Sequence, residues 1–114
     1  MVKYLFSSNK RIRQKSEFEQ AFLHKRLTNK WFVIYLFNRN NTFARLGMVV
    51  SKKTIAKSVY RNYAKRLIRE VFRLNAERLP TLDFVIRIRR NLTKDTSADA
   101  RNALLQLILS ANIS

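Results

Sequence analysis

The sequence predicts an α+β fold, a sheet covered by helices, and three observations carry that prediction. Residues 31–37 read Trp-Phe-Val-Ile-Tyr-Leu-Phe, the aromatic and β-branched types that pack on a pleated surface. Residues 55–74 run for about twenty positions without Gly or Pro, which suits a long helix. Residues 82–90 alternate, with Phe84, Ile86 and Ile88 facing one way and Val85, Arg87 and Arg89 the other, the period of a strand.

The elements follow in order. Residues 1–15 are polar and basic without periodicity and read as an extended arm. Ser16 with Glu19 makes a capping-box pattern. It starts a short helix, Glu17 to Lys25, with Phe18, Ala21 and Phe22 on one side. The strand at 31–37 comes next. Asn38 to Thr42 is turn-like, so Ala44 to Ser51 is expected to pair with that strand as a hairpin. The region 43–51 could also be broken into two strands. The long helix, Ile55 to Leu74, leads through a connection containing Pro80 to the strand at 82–90. Thr96 with Asp99 gives a second capping box, opening a helix from Ser97 to Ala111 that carries Leu104, Leu105, Leu107, Ile108 and Leu109. No repeat, linker or low-complexity segment interrupts residues 1–114, so a single domain is expected.

Charge is the strongest functional signal. The 114 residues carry 24 Lys and Arg against 7 Asp and Glu, a net charge of +17. Like charges repel in the compact state, so folding gains nothing from this excess, and a polyanionic partner accounts for it. The charge is also uneven. Residues 45–73 hold nine basic side chains against Glu70 alone, and residues 1–30 hold eight against two acids. From Leu74 to Ser114 there are six bases and four acids. The first and middle stretches are therefore the expected binding face.

Other classes are excluded by what is missing. With no cysteine there is neither a disulfide nor a thiolate zinc site. The longest apolar run, Trp31 to Phe37, is far shorter than the roughly 20 residues of a membrane span. The start, Met1-Val2-Lys3-Tyr4, lacks a signal-peptide pattern. A cytoplasmic protein without membrane contact is expected.

On a helical wheel with Arg61 at the origin, Lys57, Lys65, Arg69, Asn62, Arg73 and Arg66 fall on one arc, from about −40° to about 140°. Val59, Tyr63, Leu67, Tyr60, Val71, Ala64 and Ile68 occupy about 160° to 340°. Phe72, near the basic arc, is expected at the rim of the core. Charged helix faces are usually just solvated, but such faces interleave acids with bases to gain i, i+4 pairs. Here Glu70 is the only acid, and it lies off the basic arc. Six cations without acidic neighbours fit phosphate binding, with Lys52 and Lys53 extending the row. Asn62, which both donates and accepts, suits a 2′-hydroxyl or a base edge.

Catalysis by protein side chains is not expected. Glu17, Glu19, Glu70, Glu77, Asp83, Asp95 and Asp99 are scattered, and Glu19 and Asp99 have capping roles that account for them more simply. His24, the only histidine, sits at the end of a short basic helix, where a surface or packing role accounts for it. Gly47, the only glycine, falls inside a strand pattern and marks close backbone approach rather than a phosphate loop.

Arg45-Leu46-Gly47-Met48-Val49-Val50-Ser51-Lys52-Lys53, followed by Arg61-Asn62-Tyr63-Ala64-Lys65-Arg66-Leu67-Ile68-Arg69-Glu70, resembles the signature of the bacterial ribonuclease P protein family. Arg11-Ile12 with Phe18 and Phe22, and Asp83-Phe84-Val85-Ile86, extend the resemblance over nearly the whole chain. The family's usual third arginine in the Arg-Asn-Arg core is Tyr63 here, so one cation is lost. The resemblance implies a mixed four-stranded sheet with three helices, ordered αβββαβα, and a left-handed βαβ crossover against the usual right-handed rule. It implies a subunit that binds a catalytic RNA and the 5′ leader of precursor tRNA, aiding leader removal. It implies magnesium held mainly by the RNA, none held by protein side chains, no DNA partner, and a monomer in a 1:1 ribonucleoprotein. The implied RNA-binding residues are Lys52, Lys53, Arg61, Asn62, Lys65, Arg66 and Arg69, with Arg11, Arg45 and Arg89 secondary. Phe18, Phe22 and Tyr35 would line the leader cleft.

The aromatics taken alone are as well explained by a core. A ribosomal protein, also small, basic and cysteine-free, is the main rival. A DNA-reading helix is weaker, because no second helix or dimer partner is evident to orient it.

Overall fold

The computed structural model describes residues 22–38 and 42–112. They form four strands, β1 (Phe22–Thr28), β2 (Phe32–Asn38), β3 (Arg45–Val49) and β4 (Asp83–Ile88), and two α-helices, α1 (Ser58–Asn75) and α2 (Ser97–Leu109). The sheet is mixed, in the order β1-β2-β4-β3. β2 is antiparallel to both its neighbours, and β3 runs parallel to β4, joined to it through α1.

The α+β class and a four-stranded mixed sheet therefore stand, but the fourth strand comes from an unexpected place. Residues 22–25, assigned to the end of a Glu17–Lys25 helix, belong to β1, and His24 with them. The described residues hold two α-helices, not three, and Ser16, Phe18 and Glu19 lie outside them. Apolar spacing at Phe18 and Phe22 fits a helix, but ladder pairing with β2 from Phe22 onward prevails. A tight connection enforces the pairing. The Asn29 Oδ1 accepts from the Trp31 and Phe32 amides at 2.9 and 2.8 Å, an Asx-type turn, while its Nδ2 donates to the Ala103 carbonyl of α2.

The expected hairpin between 31–37 and 44–51 does not form. β2 is central, flanked by β1 and β4, and β3 pairs with β4. The reason is packing: the β2–β4 register sets Phe32, Ile34 and Leu36 beside Ile88, Ile86 and Phe84, all essentially inaccessible. Residues 45–49 make one unbroken strand.

One sheet face packs on both helices. Ala64, Leu67, Ile68, Val71 and Phe72 of α1 and Ala100, Leu104 and Ile108 of α2 complete the core. Phe72 is not at the rim. It is fully buried, its ring edge-on to Phe84 at 5.7 Å between centroids, whereas Val59 is 65% exposed. The buried stripe is thus rotated by about 50° toward Phe72, since burying the largest side chain removes the most apolar area from water. Tyr63 is half-buried rather than buried.

Helix α1 begins at Ser58 because the chain first makes a turn. The Ser51 carbonyl accepts from the Thr54 and Ile55 amides, and Ile55 is inserted into the core. The Thr96–Asp99 capping box is also absent. The reciprocal box joins Thr93 and Thr96 around the 3-10 turn Lys94–Thr96, and Thr96 makes no side-chain cap to α2.

Candidate nucleic-acid interface

Burying the Ala64–Phe72 stripe turns the opposite arc of α1 outward. Asn62, Arg66 and Arg73 are exposed, and Arg61, Lys65 and Arg69 are partly exposed along one flank. Among the described residues, no carboxylate lies within ion-pair distance of Lys65, Arg66, Arg69 or Arg73. Glu70, the one acid of the helix, is paired with Arg101 of α2 at 3.4 Å, and both side chains are largely hydrated. A pair so exposed contributes little stability. It leaves Glu70 bonded to the second helix while Glu70 still lies beside the row. Arg66, Arg69 and Arg73 border a surface hollow of about 210 Å³ whose remaining wall is Glu70.

Cationic character is strongest at the start of the helix. Lys57 is the N-cap with no side-chain cap, and no acidic residue occupies the first turn. The partial positive charge of the helix N-terminus therefore adds to Lys57 and to exposed Lys52 and Lys53 instead of being offset. Arg61 is the exception in the row. Its Nη1 donates to the Ile55 and Ala56 carbonyls at 3.0 and 2.7 Å, which braces the turn and commits one of its nitrogens to the backbone. Lys57 and Arg73 belong to the same face. The wheel had placed them there, although the family motif does not include them.

The second sheet face carries a different set. Since Phe32, Ile34 and Leu36 point into the core, alternation puts Tyr35 and Val33 on the far side. Register aligns Arg26, Tyr35, Val85 and Gly47 across all four strands. Tyr35 is half-buried, while Arg26 and, one row along, Arg87 are exposed. Gly47, without a side chain, is buried at the β3 end of this row. The backbone of Phe22 lies in β1, and Phe18 and Arg11 lie outside the described residues. Arg26 and Arg87 were missed as companions of Tyr35, and only the correct strand assignment of 22–28 could have found Arg26.

Two secondary candidates have structural work. Arg45 forks onto the buried carboxylate of Asp83, its register partner, with Nε–Oδ1 at 2.9 Å and Nη2–Oδ2 at 3.1 Å. Such a bidentate pair commits the guanidinium plane to the start of the parallel ladder. Arg89 donates to the Thr28 hydroxyl and the Asn29 carbonyl and ties β4 to the β1–β2 turn.

Among the described residues, no three His, Asp or Glu side chains gather as metal ligands. No described helix is long and apolar enough to cross a membrane.

Comparison with known proteins follows the same lines. Residues 6–112 match the family described as Ribonuclease P. The ribonuclease P protein component of Chromobacterium violaceum is 36% identical over 108 residues, covering 94% of this chain and 89% of that protein. That of Baumannia cicadellinicola is 39% identical over 109 residues, covering 94% of each. The solved RNase P protein of Staphylococcus aureus is similar with a TM-score of 0.75 at 29% identity, covering 91% of this chain and 96% of that one. The Thermotoga maritima RNase P protein gives a TM-score of 0.64 at 31% identity, covering 91% and 97%.

Proposed function

The chain belongs to the ribonuclease P protein family, a subunit of an endoribonuclease, and from that footing we propose that it docks the catalytic RNA on the outer face of α1 and steers the 5′ leader of precursor tRNA. The observation that carries the proposal is the row of cations on α1 without carboxylate partners among the described residues. Phosphates supply the missing counter-charge. Lys65 acts as a point charge, while Arg66 and Arg69 can each fork two phosphate oxygens. Lys52 and Lys53 extend the track beyond the helix N-terminus. Arg61 contributes with its remaining donors only. Asn62 bonds a 2′-hydroxyl or a base edge.

The leader passes over the far sheet face. There Tyr35 offers a ring for base stacking, worth about 1–3 kcal/mol per base, and Arg26 and Arg87 attract the backbone. Phe18 and Phe22 are proposed to line the same cleft. The protein then acts by binding and alignment, lowering the cost of bringing an anionic substrate to an anionic RNA. Chemistry belongs to the RNA, and magnesium to its phosphates, which offer the hard oxygen ligands that ion prefers. Asp83 and Glu70, occupied by Arg45 and Arg101, are poor candidates to hold it. The single domain of residues 1–114, a left-handed β3–α1–β4 crossover, a monomer in a 1:1 particle and a cytoplasmic location complete the reading.

Reconstitution tests it. Added to a bacterial ribonuclease P RNA, the protein is expected to increase precursor cleavage about tenfold or more at low magnesium, because its charge relieves RNA–RNA repulsion. No increase, together with stoichiometric co-purification on ribosomal subunits, would favour a ribosomal protein instead.

A further inference from the structure

A second pocket lies away from both proposed surfaces, where the β1–β2 turn and the end of β4 meet α2. It encloses about 560 Å³, within the range of small-ligand sites. Its aromatic element is Trp31, with the Arg90 guanidinium 4.8 Å from the ring centroid. Arg90 is exposed, so its guanidinium lies against the indole and remains accessible to a ligand. Along α2, Asp99, Asn102 and Gln106 recur at helical spacing and line the same pocket, as does Lys30. All four of these polar side chains are exposed, and none has a hydrogen-bond or ion-pair partner among the described residues.

Asp99 is the informative member. A capping role would account for it, but Thr96 and Thr93 form the capping box between themselves. In a chain of net charge +17, an acid with no cation within ion-pair distance among the described residues is left with its acceptor oxygens free. A pocket that offers a stacking plane, a carboxylate, two amides and an amine matches one ligand class closely. Guanine is the base with two adjacent donors, N1–H and the N2 amino group, able to bridge a carboxylate's two oxygens. Its six-membered edge also presents O6 to an amide donor. Adenine and the pyrimidines lack that donor pair.

We propose that this pocket binds an unpaired guanosine of RNA. The base stacks on Arg90, Asp99 accepts from N1–H and N2–H, Asn102 or Gln106 donates to O6, and Lys30 meets the 5′ phosphate. The inference rests on RNA being the partner, and adds a base-specific contact to surfaces that otherwise read backbone.

Trp31 is the only tryptophan, so its indole N–H resonance reports the pocket in the full-length chain without ambiguity. Titration with 5′-GMP should shift that resonance, with affinity about tenfold or more above 5′-AMP, the discrimination expected of a bidentate base contact. Asp99→Asn, isosteric and exposed, should reduce the two affinities to parity. Lys65→Glu should leave the GMP preference unchanged, which separates this pocket from the α1 row. Equal binding of GMP and AMP by the wild-type chain, or a GMP preference that survives Asp99→Asn, overturns the assignment even if holoenzyme assembly is normal. In reconstituted cleavage, replacing leader guanosines by adenosines distinguishes the source. A defect of Asp99→Asn that disappears with those substrates assigns the guanosine to the leader, and one that persists assigns it to the catalytic RNA.

Discussion

Lys65→Glu is expected to weaken binding to ribonuclease P RNA by about ten- to hundredfold at moderate salt. Lys65 has no carboxylate partner within the described residues, so its loss breaks no internal ion pair. Its replacement removes a hydrogen bond to a charged group, worth about 1.5–3 kcal/mol, and sets a like charge against phosphate. Thermal stability should stay within about 0.5 kcal/mol of wild type, as for surface changes away from buried features. Arg61→Glu is a poorer probe although it sits in the same row. Arg61 also holds the Ile55 and Ala56 carbonyls, so any lost affinity would mix docking with a loosened turn. A filter-binding titration with a parallel melting curve separates the two effects. An unchanged Kd for Lys65→Glu would remove the helix from the interface.

Arg45→Ala should have its main effect on stability. Asp83 is 1% exposed and Arg45 18%, and truncation takes the bidentate guanidinium away from a buried carboxylate. Breaking a buried pair from one side costs about 3–5 kcal/mol, and the lower end suits a guanidinium that keeps some water. For a domain of this size, that corresponds to a melting temperature lower by roughly 15 °C. RNA affinity of the folded fraction should change less than twofold, well below the effect of Lys65→Glu. If affinity fell as it does for Lys65→Glu while the melting temperature held, Arg45 would be an RNA ligand after all. Replacing both residues by apolar ones of similar size should recover much of the lost stability.

These two residues show where sequence patterning reaches and where it stops. The cationic row was legible because helical periodicity and the scarcity of acids are local properties, and α1 forms within three residues of the expected start. Arg45 reads as one more cation in a basic stretch. Only strand register, which sets it opposite Asp83 thirty-eight positions away, reveals the pairing. The assignment of Phe22 to Lys25 to a helix failed for the same reason. The helical spacing is a local signal, whereas the strand state depends on the ladder to β2. Phe72 misled the wheel because a single large ring can rotate the buried stripe toward itself. Asp99 was absorbed by a capping pattern that Thr93 and Thr96 satisfy without it.

The central claim is that phosphates supply the counter-charge for the α1 row. It is tested most directly by the salt dependence of binding to the catalytic RNA. Lys65, Arg66 and Arg69 would be replaced together by Gln, and log K measured against log salt beside the wild-type chain. Three lost phosphate contacts should flatten the slope by about 2–3. A slope unchanged within error, with the fold intact, would mean those side chains meet no phosphate and the RNA docks elsewhere.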